Sequence, residues 1–123
     1  MKKFQDLETF TERDVEEAIR RNADDEISLM PLTIALAATD PAYAQQVCLM
    51  LAADTRPLVR GNALASLGHL ARRFRSLDEL PVKGVIESGL TDADEYVRIS
   101  ARSAADEIHQ FLGWTFQNHV YGI

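Results

Sequence analysis

Asp54-Thr55-Arg56-Pro57-Leu58-Val59-Arg60-Gly61-Asn62-Ala63-Leu64-Ala65-Ser66-Leu67-Gly68 returns, 38 residues later, as Asp92-Ala93-Asp94-Glu95-Tyr96-Val97-Arg98-Ile99-Ser100-Ala101-Arg102-Ser103-Ala104-Ala105-Asp106. The shared frame is an aspartate, a Val-Arg pair five residues on, an alanine, and then a small or apolar residue at Leu67 or Ala105. Val59, Ala63, Leu67 and Leu70 recur at spacings of three and four, as do Val97, Ala101, Ala105 and Ile108. That spacing puts each set on one face of a helix. Small residues on such a face let helices approach closely, and the large ones fill the space between them.

Outward from this frame, start and stop signals divide the chain into six helices. Thr11, followed by Asp14 three residues later, opens a first helix ending near Asn22. A second covers about residues 27–38. Pro31 lies inside it, and an interior proline removes a backbone hydrogen bond and crowds the previous turn. The regular helix is therefore expected to start a residue or two before Pro31, or to kink there. Asp40-Pro41 reads as a cap followed by proline at the first helical position, with a helix running to about Ala53. Pro57 opens a long fourth helix to about Phe74. A fifth is expected from Pro81 to about Leu90. Asp92 to Glu95 caps a sixth, which runs to about Leu112 and stops at Gly113. Alternating strand patterns are nearly absent. The expected fold is all-α and one domain over 1–123.

The Asp…Val-Arg…Ala frame resembles the second-helix signature of HEAT and bacterial HEAT-like repeats. The resemblance covers residues 41–112, as repeats over 41–74 and 77–112. Residues 11–38 resemble a degenerate first repeat, with Leu29-Met30 where Val-Arg would stand. Such a terminal repeat has no neighbour to match on its outer side. The resemblance implies a short right-handed α-solenoid of about three helix pairs, because a single pair cannot cover its own apolar face. Residues 113–123 form an aromatic tail beyond the last repeat.

Hydrophobic residues make up 46% and charged residues 26%, a composition suited to a folded core. The net charge of −6 disfavours general binding to a phosphate backbone and suits a basic partner. The one cysteine, Cys48, sits in the apolar run Val47-Cys48-Leu49-Met50-Leu51 and is read as buried and inert. Residues 1–6 lack an apolar stretch of signal-peptide type, and the most apolar window, about 27–38, is too short to span a membrane. A cytoplasmic location without membrane or nucleic-acid partners is the expectation. The histidines, His69, His109 and His119, have no metal-ligand spacing, and no phosphate-loop or nucleophile-elbow motif occurs. No catalytic constellation, metal site or cofactor is expected.

The periodic residues Asp54, Arg60, Asp92 and Arg98 are read as a structural ladder, each arginine fork tying a turn aspartate to the next repeat. Asp24-Asp25-Glu26, Asp54, and Asp92, Asp94 and Glu95 are expected in the turns within helix pairs. Stacked turns would align them as an acidic ridge for a partner, alongside Tyr96. Asn62, Ser66, His69 and Arg73 fall on one outward stripe of the fourth helix, with Ser100, Ala104, Glu107 and Phe111 at corresponding positions on the sixth. Trp114 is the tail's candidate contact, against the alternative that the tail covers the end of the last repeat. In size, charge and scaffold the chain resembles bacterial immunity proteins, which inhibit a cognate toxin, often a basic nuclease. Non-catalytic binding of a basic protein is thus the leading expectation. A HEAT-repeat adaptor or a phycobilin-lyase-like accessory subunit is the alternative, and HEAT-like nucleic-acid repair is opposed by the acid excess.

Overall fold

A computed structural model describes residues 11–121. Segment 1–10, read above for a leader, and the last two residues of the tail lie outside the described residues. Within them the chain forms six helices and no strand: α1 (Glu12–Arg21), α2 (Asp24–Ala37), α3 (Pro41–Leu51), α4 (Pro57–Phe74), α5 (Glu79–Leu90) and α6 (Glu95–Leu112).

Local chemistry explains most of the boundaries. Thr11 and Asp14 form a reciprocal capping box, and Asn22 ends α1 in the left-handed conformation at φ 53°. The Asp40 carboxylate accepts from the amides of Ala42 and Tyr43. Asp94 accepts from Val97, and Gly113 stops α6 at φ 76°.

Two starts differ from the sequence expectation. α2 begins at Asp24, about two turns ahead of Pro31, and runs through the proline. Its first turn is Asp24-Asp25-Glu26, which complements the helix dipole. Ile27, Met30, Pro31 and Ile34 are all buried on the continuing helix, and that packing offsets the hydrogen bond Pro31 cannot donate. α5 begins at Glu79 rather than at Pro81. Pro81 falls in the first turn, where a backbone N–H has no intrahelical acceptor to lose. Asp78, the residue before α5, is held by Gln45 of α3. The Gln45 Nε2 donates to Asp78 Oδ2 at 2.9 Å, and the Asp78 amide donates to Gln45 Oε1 at 2.7 Å.

α4 is the centre of the molecule and packs against α2, α3, α5 and α6, while α1 rests on α2. Val59, Ala63, Leu67 and Leu70 of α4 and Val97, Ala101, Ala105 and Ile108 of α6 are all buried, as their spacing predicts. The α4–α6 approach is close. A Cβ on Gly61 would lie 2.7 Å from the Tyr96 ring, and one on Gly68 would lie 3.1 Å from the Ala104 Cα. Across both junctions, contacts advance in step along the chain. Asn62 reaches Ser28 and Arg73 reaches Ala35; Tyr96 reaches Asn62 and Arg72 reaches Glu107. α2, α4 and α6 therefore lie side by side and parallel, with their N-termini along one edge.

The tail folds back on α5 and α6. Phe116 is buried, and the Gln117 amide donates to Glu87 Oε2 at 2.7 Å. His119, whose side chain is 2% exposed, lies with Nε2 2.7 Å from Asp106 Oδ1. The His109 ring stacks on Tyr121, and its Nδ1 lies 2.8 Å from the Trp114 carbonyl oxygen.

Candidate functional site: the N-terminal edge of α2, α4 and α6

The two periodic loops are built alike. Asp54 Oδ1 accepts from the Arg56 amide at 2.9 Å, and Asp92 Oδ1 accepts from the Asp94 amide at 2.9 Å. These are Asx turns, in which a short carboxylate holds the backbone two residues on. Arg60 Nη1 donates to the carbonyls of Asp54 and Thr55 at 3.1 and 3.0 Å. Arg98 Nη1 donates to those of Asp92 and Ala93 at 2.7 and 3.0 Å. Each periodic arginine thus closes its own loop first.

Arg60 also spans to the following loop. Its Nε and Nη2 meet the two oxygens of Asp92 at 3.0 and 2.9 Å. This bidentate, charge-assisted pair has both side chains only about a fifth exposed, 20% and 18%. It holds the Asp92 carboxyl below its ordinary range. The Asp54 carboxylate does not meet Arg60, as the ladder expectation allowed. It is taken by Arg56, through Nε at 2.8 Å and Nη2 at 2.9 Å. Arg56 reaches back as well, to Asp24 at 3.0 Å and to the Asn22 carbonyl oxygen of the side chain at 2.8 Å. Hydrogen bonding to Arg56 lowers the Asp54 pKa. A reading by period overlooks Arg56, because its counterpart 38 residues on is the capping residue Asp94.

The acidic ridge is accordingly an alternation of acids and arginines. Asp24-Asp25-Glu26 is the first turn of α2, not a free turn between helices. Glu26 is gripped by Arg21 at 2.9 and 2.7 Å, which lowers its pKa. Asp24, Glu26, Asp54 and Asp92 each have a guanidinium partner. Asp25, whose carboxylate accepts the Glu26 amide, Asp94, which caps α6, and exposed Glu95 form no salt bridge among the described residues.

The outward stripe expected on α4 is also corrected. Asn62 and Ser66 are buried. Asn62 Nδ2 donates to the Ser28 carbonyl at 2.7 Å, and its Oδ1 accepts from the Tyr96 hydroxyl, so one amide joins α2 to α6. Ser100 and Ala104 are buried against α4. His69 is half-buried with Nδ1 3.3 Å from Glu107 Oε1, close enough to pair when the imidazole is protonated. Arg73 donates to the Ala35 carbonyl at 2.9 Å. Trp114 is half-buried against the core.

The exposed apolar residues near this edge are Leu29 of α2, Leu58 of α4, and Tyr96 and Ile99 of α6, each 43–54% exposed. Leu29 follows Ser28, whose carbonyl accepts from Asn62; Leu58 precedes Asn62 by one turn; and the Tyr96 hydroxyl bonds Asn62. Below the Arg60–Asp92 pair lies a recess of about 170 Å³, lined by Ala52, Leu64, Val85, Gly89 and Val97. Cys48 is fully enclosed, and burial pushes its thiol up to about 12. Among the described residues no group of three His, Cys, Asp or Glu is placed to hold a metal ion, and no helix is long and apolar enough to cross a membrane.

Comparison of the chain with protein-family models, with curated proteins and with solved structures finds no match.

Proposed function

We propose that this chain is a non-catalytic protein-binding module: a short right-handed α-solenoid of three HEAT-like helix pairs whose partner is a basic protein. Immunity proteins that neutralise a cognate toxin are the class that fits best. The observation that carries the reading is the edge shared by α2, α4 and α6. There Leu29, Leu58 and Tyr96 stand exposed, between the unpaired acids Asp25 at one end and Asp94 and Glu95 at the other. Apolar anchors rimmed by charge are the usual anatomy of a recognition surface. The parallel order of the three helices supports the solenoid. The net charge of −6 would steer a basic partner to it, and that steering weakens as salt rises.

The test is affinity capture from the cells that make the protein, with the captured partner identified and then purified. Leu58→Glu, or Asp25→Lys combined with Glu95→Lys, should abolish or strongly weaken capture while circular dichroism stays helical. A purified partner bound equally well by wild type and by both variants would refute the proposed surface.

A further inference from the structure

Arg60 and Arg98 occupy the same position in the two periodic helices, yet only one has its fork filled. In both, Nη1 is tied to two loop carbonyls, which fixes the guanidinium plane before anything else binds. In Arg60 the opposite edge, Nε and Nη2, carries the Asp92 carboxylate. In Arg98 that edge has no acceptor among the described residues. The described part of the tail does not supply one, because it returns over the other half of α6, where His119 meets Asp106. The flank beside Arg98 stays open: Ile99 is 48% exposed, and Arg102, one turn on, is exposed and without an acid partner among the described residues.

We infer that the free Nε/Nη2 edge of Arg98 is a docking point for a carboxylate, supplied by an aspartate or glutamate of a partner protein seated on the open flank of α6. The chain itself shows the chemistry, since the equivalent edge of Arg60 takes an aspartate two-pronged at 2.9–3.0 Å. A guanidinium held in place by its other nitrogen loses little freedom when a carboxylate arrives, and its planar fork matches the two oxygens. Arg102 adds a second positive charge, and Ile99 offers apolar surface beside the fork. The acids Asp94 and Glu95 precede Arg98 by one turn, but Arg60 binds its carboxylate while the charges of Asp54 and Asp94 also act on it, so acids nearby do not prevent the pair. The inference rests on the protein-binding reading for the kind of partner and not for the carboxylate chemistry.

The experiment follows the arginine Nε–H resonances of ¹⁵N-labelled protein. Sodium acetate is titrated against sodium chloride at matched ionic strength. The Arg98 resonance should move saturably with acetate. Arg60, already filled, should not move, and Arg102, exposed on the same helix, should move only weakly. Next comes a synthetic peptide copying residues 91–97, which carries the aspartate that fills the Arg60 edge. It should shift Arg98 together with the Tyr96 and Ile99 amides, at concentrations roughly tenfold below acetate. The same peptide with Asp92→Asn should lose that advantage, and protein carrying Arg98→Lys, which keeps the charge and lacks the fork, should bind neither probe. Equal responses of Arg98 and Arg102 to acetate would overturn the site. A saturable acetate shift with no gain from the peptide would overturn the docking role. Either result is independent of capture by the Leu58 and Glu95 variants, so the two readings fail separately.

Discussion

The α4–α6 junction and the outer flank of α6 present the same sequence frame in two settings. In each, an Asx turn shapes the loop and an arginine Nη1 locks it with two carbonyls. At the junction the arginine continues to a carboxylate, a glycine admits a tyrosine ring, and a buried amide ties three helices together. At the flank, Ile99 stands where Gly61 stands, and the Nε/Nη2 edge of Arg98 has no acceptor among the described residues. The loop geometry belongs to the repeat itself. The filled fork belongs to having a neighbour, so an identical residue is structural in one place and free to recognise in the other.

Truncating the two arginines should separate these roles most clearly. Arg60→Ala leaves Asp92 partly buried without its cation and opens the loop, at a cost of about 2–3 kcal/mol. Arg98→Ala removes only loop contacts, at a cost below about 1 kcal/mol. Urea midpoints of the two variants check this, and equal losses would erase the distinction. Smaller is the effect of filling the close approach. Gly61→Ala forces the Tyr96 ring aside, and the strain should exceed the gain in helix propensity, for a net loss of about 1 kcal/mol on thermal unfolding.

Acid should weaken both paired loops. The Asp54 and Asp92 pKa values are lowered in the folded state, so the unfolded chain binds more protons in the window between the two values. Their stabilisation is complete above the ordinary carboxylate value of about 3.9 and is lost as pH falls through the lowered folded values. Melting temperatures from pH 6 down to pH 3 should therefore fall less steeply for Arg60→Ala than for wild type, with a smaller change for Arg98→Ala, whose charge is a lesser cause of the lowered Asp92 value. The smallest effect has the opposite sign. Gly84 of α5 has nothing within 4 Å of an added Cβ, so Gly84→Ala should stabilise by about 0.5–1 kcal/mol in the same melts.

Much of the architecture is legible in the chain because its signals are local. Thr11 with Asp14, Asp40 with Pro41, and Gly113 mark helix ends by chemistry confined to one turn. The spacing of Val59, Ala63, Leu67 and Leu70 marks a buried face, because a helix repeats every 3.6 residues whatever it packs against. Pro31 and Pro81 mislead for the converse reason. Burial of Ile27 and Met30, and a place in the first turn, are supplied by context that a proline's own preference does not contain.

The candidate site was less legible. Asn62 and Ser66 read as an outward stripe, yet one residue turns a helix face by about 100°, and only the contact with α2 and α6 sets that rotation. The pairing of Arg56 with Asp24 crosses 32 residues and follows no period.

The sequence by itself determined the helical character of the described residues, the helix ends at Thr11, Asp40 and Gly113, the 38-residue frame and a surplus of acids. The tertiary structure alone decided which acids are paired with an arginine, which arginine has an open edge, and where the tail lies. Caps and periodicity act within a turn or two of chain. A salt bridge or hydrogen bond instead requires about 3 Å between groups far apart in sequence, and only the packed helices create that proximity.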